Sequence, residues 1–109
     1  MEARTLPACP VETTLTLISN KWKVLIIRDL LPGTKRFGEL KKSIGSVSQK
    51  VLTAQLRQME ESGLLTRTVY PEVPPRVEYT LTELGQSLRP VLDALKNWGE
   101  EYKAKMSGE

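Results

Sequence analysis

The chain has 109 residues, a formal net charge of +3, no histidine and one cysteine. That length allows one domain with one modest core, since a chain of this size buries only somewhat over ~60% of its unfolded surface. Imidazole catalysis, histidine metal ligation and an intrachain disulfide framework are excluded, and a single cysteine fits a reducing compartment.

Residues 1–8 read as a flexible arm. Pro7 and Pro10 bracket Cys9, and Pro10 suits the first turn of a helix, where its missing N–H costs nothing. Helix 1 should run to about Ile18 with Val11, Leu15 and Ile18 on one side. Its threonines are poor helix formers, so packing must hold it. Ser19 or Asn20 can cap helix 2, roughly Lys21 to Leu31, whose broad apolar face marks it as the most buried helix. Pro32-Gly33 ends it. Thr34-Lys35-Arg36 then leads into helix 3, about Phe37 to Ser43, and Gly45-Ser46-Val47 makes a short turn.

Helix 4, about residues 48–62, is the best-marked element. Ser48 is a good N-cap and Gly63 a good stop. Leu52, Leu56 and Met59 form one apolar stripe, while Lys50, Thr53, Ala54 and Arg57 point away from it. A short helix, a turn with glycine and a second helix with polar outward residues is the helix-turn-helix layout, with helix 4 as recognition helix.

The period then changes. Leu65 to Tyr70 and Arg76 to Leu81 alternate as strands, and Pro71-Glu72-Val73-Pro74-Pro75 between them makes a stiff tip without ladder donors. This is a two-stranded hairpin, a wing over residues 65–81, which must pack on the helices to be stable. From Thr82 a long apolar stripe runs through Leu88, Val91, Leu95, Trp98 and Tyr102, and Pro90 should divide it into pieces of about Glu83–Arg89 and Pro90–Lys103. Residues 9–103 thus form one mainly α domain with a small β-hairpin, and a tail over 104–109 is expected to fray. No apolar run is long enough to span a membrane and no signal-peptide pattern is seen, so a cytoplasmic protein is expected.

Charge is unevenly spread. Between Lys21 and Arg57 nine basic residues face two acidic ones, a local balance of +7 that leaves −4 for the rest. A basic block leading into a capped helix is an electrostatic footprint for a polyanion. On the recognition helix, Gln49 can pair with adenine, Arg57 or Lys50 can reach guanine or phosphate, and the Thr53 methyl can touch thymine. The Ser48 end presents free N–H groups to phosphate. Lys35, Arg36 and Lys42 are backbone-contact candidates, and Arg67 and Arg76 could let the wing grip phosphate or the minor groove. Each can equally be ordinary surface charge.

A domain this small uses its core on helices 2 to 4. The terminal stripe (Leu88, Val91, Leu95, Trp98, Tyr102), with Val11 and Leu15 of helix 1, is therefore expected to bury against a second copy. Cys9, at a helix N-terminus, is either a redox or electrophile sensor or a small buried residue. An enzyme is not expected: no histidine can pair with Cys9 or a serine, the Gly33-Thr34-Lys35 run lacks the first glycine of a phosphate loop, and no metal or cofactor site is legible.

These residues also resemble a known family. Cys9-Pro10-Val11, Lys21-Trp22, Arg36-Phe37-Gly38-Glu39-Leu40, Ser48-Gln49-Lys50, Leu52-Thr53, Leu56-Arg57 and Glu60 to Leu64 are similar to the HxlR-type bacterial transcriptional regulators. So are the wing run Tyr70 to Tyr79 and the following Leu81-Thr82-Glu83-Leu84-Gly85. The resemblance covers Cys9 to about Tyr102. It implies a dimeric, cytoplasmic winged helix-turn-helix protein that binds double-stranded operator DNA, with helix 1 and the C-terminal helices forming the dimer. It also implies that nearby genes are repressed or activated, and that a cysteine near the N-terminus, here Cys9, senses oxidants or electrophiles in some members. No small-molecule effector is named by these residues. The alternatives are a winged-helix protein-interaction module and a non-specific architectural DNA binder.

Overall fold

In the computed structural model, residues 5–108 are described. Six helices and three strands follow in the order α1 (Pro10–Leu17), α2 (Lys21–Leu30), β1 (Lys35–Arg36), α3 (Phe37–Ile44), α4 (Gln49–Glu61), β2 (Leu65–Tyr70), β3 (Arg76–Leu81), α5 (Glu83–Gln86) and α6 (Arg89–Met106). The core is the meeting of three helical stripes. Ile26, Ile27 and Leu30 of α2, Leu40 of α3, and Leu52, Leu56 and Met59 of α4 are all buried, and Leu64, Leu65, Tyr79 and Leu81 close it from the sheet side. At about 25 cal/mol per Å² of apolar surface, each large side chain fully buried there contributes roughly 1.5–3 kcal/mol.

Capping side chains set where the central helices begin. The Asn20 side-chain oxygen accepts from Lys23 N at 3.1 Å, while its amide donates to Gln55 Oε1 at 3.0 Å, tying the start of α2 to the middle of α4. The Ser48 hydroxyl accepts from Val51 N at 3.1 Å and starts α4. Glu39 Oε1 accepts from Arg36 N at 2.8 Å and closes the first turn of α3. Gly63, at φ +80°, takes the left-handed turn that ends α4.

The sheet corrects the expected two-stranded hairpin. It has three strands in the order β1-β3-β2, all antiparallel. Lys35 pairs with Tyr79 and Arg36 with Glu78, so the segment leading into α3 is an edge strand on β3. The Thr34 and Thr80 hydroxyls, 2.8 Å apart, extend that seam. On the other edge β2 pairs with β3 from Leu65 opposite Leu81 to Tyr70 opposite Arg76.

Two further expectations are corrected at the C-terminal end. Helix α6 continues to Met106 instead of fraying from Ala104. Leu88, expected on a surface for a second copy, is buried in the chain's own core at 8% exposure. It lies at the junction of α5 and α6, where its main chain accepts the first bond of α6 from Leu92 N at 3.1 Å. Pro90 falls in the first turn of α6, where it disturbs no helical bond. The expected flexible arm falls partly outside the described residues, which begin at Thr5.

Candidate nucleic-acid interface

The apolar stripe of α4 is turned into the core, so its opposite side must face out. Gln49, Lys50, Thr53, Ala54 and Arg57 lie together there on an uncovered, shallow surface. No acidic side chain occurs in the first turn of α4. The Ser48 hydroxyl accepts the Val51 bond, which leaves other N–H groups of the first turn open to an anion.

Around this helix the remaining candidates fall in two groups. Lys35 is half-buried and Arg36 exposed on β1, and Lys42 is exposed on α3. Arg36 lines a cleft of about 410 Å³ between the start of α3 and the wing tip, together with Phe37, Gly38, Val73 and Pro74. Arg67 is exposed on β2, opposite Tyr79 in the sheet. Arg76 differs from all of these. Its guanidinium lies 4.1 Å from the Tyr70 ring centroid and 3.6 Å and 3.5 Å from the carboxylates of Glu72 and Glu78. Its Nε is buried without a hydrogen-bond partner, so the approach to Glu78 is an electrostatic contact. Arg76 therefore stiffens the wing through a cation–π contact and two carboxylates, and is not a free cation at the tip. At the tip itself Val73 is fully exposed between Glu72 and Pro74.

Sequence reading missed one element of this surface. Arg57 and Arg67, on different elements, line one recess of about 230 Å³ together with Phe37, Thr53, Glu60 and Tyr79. The recess depends on the angle between α4 and β2, which no sequence spacing reports.

The candidate partner surface is a second set of uncovered residues, on α6 and α1. On α6, Leu95, Trp98 and Tyr102 are exposed, with the Trp98 and Tyr102 rings stacked at 5.3 Å. Pro90, Val91, Ala94, Leu95 and Trp98 line an apolar groove there, and Val91 is half-buried against the core. Val11 and Leu15 are exposed on α1. Cys9 is exposed and is the N-cap residue of α1, its carbonyl accepting from Thr13 N at 3.0 Å. Among the described residues there is no cluster of three or more metal-ligating side chains, and no helix is long and apolar enough to cross a membrane.

A helix-turn-helix of α3 and α4, with the outer face of α4 uncovered beside a three-stranded wing, defines a winged helix-turn-helix DNA-binding protein of the transcription-regulator class. The HxlR-like helix-turn-helix family model matches residues 17–107, and the chain belongs to that family. It is 49% identical over 98 residues to the HTH-type transcriptional regulator YdeP of Bacillus subtilis, covering 90% of this chain and 77% of that protein. Among solved structures it is similar to the redox regulator HypR in its oxidised form, with 46% identity, a TM-score of 0.80 and 85% and 96% of the two chains covered. Against reduced HypR the identity is 42%, the TM-score 0.84 and the coverage 93% and 100%.

Proposed function

We propose that this chain is a sequence-specific, homodimeric regulator that acts in the cytoplasm, and that Cys9 makes it responsive to oxidants or electrophiles. The observation that carries the DNA reading is the outer face of α4, where Gln49, Lys50, Thr53 and Arg57 stand together uncovered. Its first turn enters the major groove, Gln49 and Thr53 read base edges, and Ser48 and Lys50 hold the backbone at the helix start. Lys35, Arg36, Lys42 and Arg67 supply sequence-independent attraction. Arg76 shapes the wing that carries Arg67.

The twofold partner is a second copy placed on Leu95, Trp98 and Tyr102 of α6 and on Val11 and Leu15 of α1. Exposed aromatic and aliphatic side chains of this number favour an interface over open solvent. A twofold pair sets its recognition helices about one DNA turn, ~34–36 Å, apart or a multiple of it. The thiol reading is supported by the exposure of Cys9 at the start of α1, on the helix that carries Val11 and Leu15, and by likeness to a redox regulator. A covalent adduct at Cys9 would then alter the dimer and, through it, the spacing of the recognition helices.

The test is an anisotropy titration of labelled DNA from upstream of this protein's own gene against a scrambled fragment of equal length, with the thiol reduced and then oxidised. At least ~10³-fold tighter binding to the native fragment is expected. Loss of that binding on oxidation, abolished in Cys9→Ser, assigns the sensor. Equal affinity for both fragments would favour an architectural binder, and no binding to DNA selected from the whole genome would favour a protein-interaction module.

A further inference from the structure

The recess between α4 and β2 brings together two arginines that have no ion-pair partner among the described residues. Arg57 comes from the recognition helix and Arg67 from the wing. Glu60 lies one turn beyond Arg57 on the same helix face and also lines the recess, yet it is not ion-paired with either arginine. Two cations and one carboxylate leave the recess with a formal charge of +1. Thr53 adds a hydroxyl at its edge, and Phe37 and Tyr79 give it apolar walls.

The geometry points to this recess as a seat for one backbone phosphodiester of bound DNA, clamped by Arg57 and Arg67 together. This rests on the DNA-binding reading and decides the role of Arg57, open between guanine and phosphate in the sequence, in favour of the backbone. Three observations carry it. The volume of about 230 Å³ is below the roughly 300–1,000 Å³ of sites for drug-sized ligands and is ample to admit a phosphate group. The charge of +1 matches a phosphodiester monoanion, whereas a free phosphate dianion would meet Glu60 with a charge left over. Position agrees as well: Arg57 lies eight residues from Gln49, about 12 Å along the helix, while the N-terminal residues of a recognition helix meet the bases. At that distance from the inserted end a long side chain meets the groove edge, where the backbone runs. One phosphate held from both elements locks the wing to the recognition helix, so that neither docks alone.

The experiment uses the full-length protein and its selected operator, with single neutral methylphosphonates placed in turn along each strand. In the wild type, one position per half-site should weaken binding about tenfold, as loss of a charge-assisted contact does. Arg57→Ala and Arg67→Ala should each weaken operator and scrambled DNA alike, by about tenfold, as phosphate contacts do. In both variants the sensitive methylphosphonate should lose its effect, and the double variant should lose far less than the product of the two. Arg57→Lys and Arg67→Lys, which keep the charge, should recover part of the affinity. Inorganic phosphate at millimolar concentration, with ionic strength held constant, should compete only weakly. The proposal is overturned if Arg57→Ala relaxes preference at one base pair, if the two losses multiply, if the variants remain sensitive at that phosphate, or if inorganic phosphate competes strongly. A wild type that binds no DNA would overturn the regulator reading itself, a separate outcome visible before any variant is made.

Discussion

Gly85→Ala should lower the melting temperature by roughly 8–10 °C. A Cβ at Gly85 would collide with the Leu64 carbonyl oxygen and stand 2.9 Å from Leu81 Cδ2 and 3.2 Å from Leu81 Cβ. The Leu81 side chain can give by a few tenths of an ångström, but the Leu64 carbonyl cannot easily. It also accepts from Thr82 N at 3.0 Å, in the segment where α4 hands the chain to β2. Overpacking of this kind costs about 1–3 kcal/mol, and a backbone obstacle places it near ~3. Alanine recovers up to about 1 kcal/mol of helix propensity in α5. The clash therefore wins by about 2 kcal/mol, which at ~4–5 °C per kcal/mol for a chain of this length gives the stated shift. The assay is thermal unfolding by circular dichroism at one fixed protein concentration, because association would move the midpoint. A variant that melts at or above the wild-type temperature would refute the reasoning, since propensity alone predicts that result.

Ser48→Ala removes the bond to Val51 N and should cost about 1 kcal/mol in urea unfolding, whereas Ser48→Gly should cost only a few tenths. Leu88→Ala and Trp98→Glu should separate core from partner surface. Leu88→Ala should lose about 2–5 kcal/mol of stability with the protomer's association constant little changed, because its side chain lies in its own chain's core. Trp98→Glu places a charge on the exposed α6 face and should shift sedimentation equilibrium toward monomer while the isolated protomer keeps its fold. Arg76→Ala should weaken DNA binding less than Arg67→Ala, since Arg76 already spends its charge on Tyr70, Glu72 and Glu78; equal losses in a binding titration would place Arg76 on the DNA.

The recognition helix is legible in the sequence because its signals are local. A capping serine, a stripe at helical spacing and a glycine in the left-handed region each act within a turn or two of where they stand, and the structure places α4 at Gln49–Glu61 between them. The wing strands are legible for a similar reason, since alternation and prolines bound them. Strand β1 is not. Two residues carry no period, and Lys35 and Arg36 are a strand only because Tyr79 and Glu78, more than forty positions later, offer them a ladder. The stripe on the last helix shows the same limit. Its spacing says that Leu88 and Trp98 are both apolar and share a helical run, but not that one is covered by its own chain and the other left open. Arg76 reads as a wing cation until Tyr70, Glu72 and Glu78 are folded round it.

Helix α6 meets the body of the domain through its first turn. Leu92 is its buried residue, Arg89 donates to the Leu31 carbonyl at 3.2 Å, and from Asp93 onward the side chains are exposed apart from half-buried Gly99. The remainder, Asp93 to Met106, is a rod about 20 Å long. A rod held at one end magnifies angle into distance: tilting it by about 10° moves its far end about 3.5 Å, close to one base step of ~3.4 Å. A second copy gripping that rod would sit at a distance set by the angle at which the first turn of α6 packs on the domain. In the proposed dimer, repacking that single helical turn would change the spacing of the two recognition helices with every residue of the reading face left unchanged.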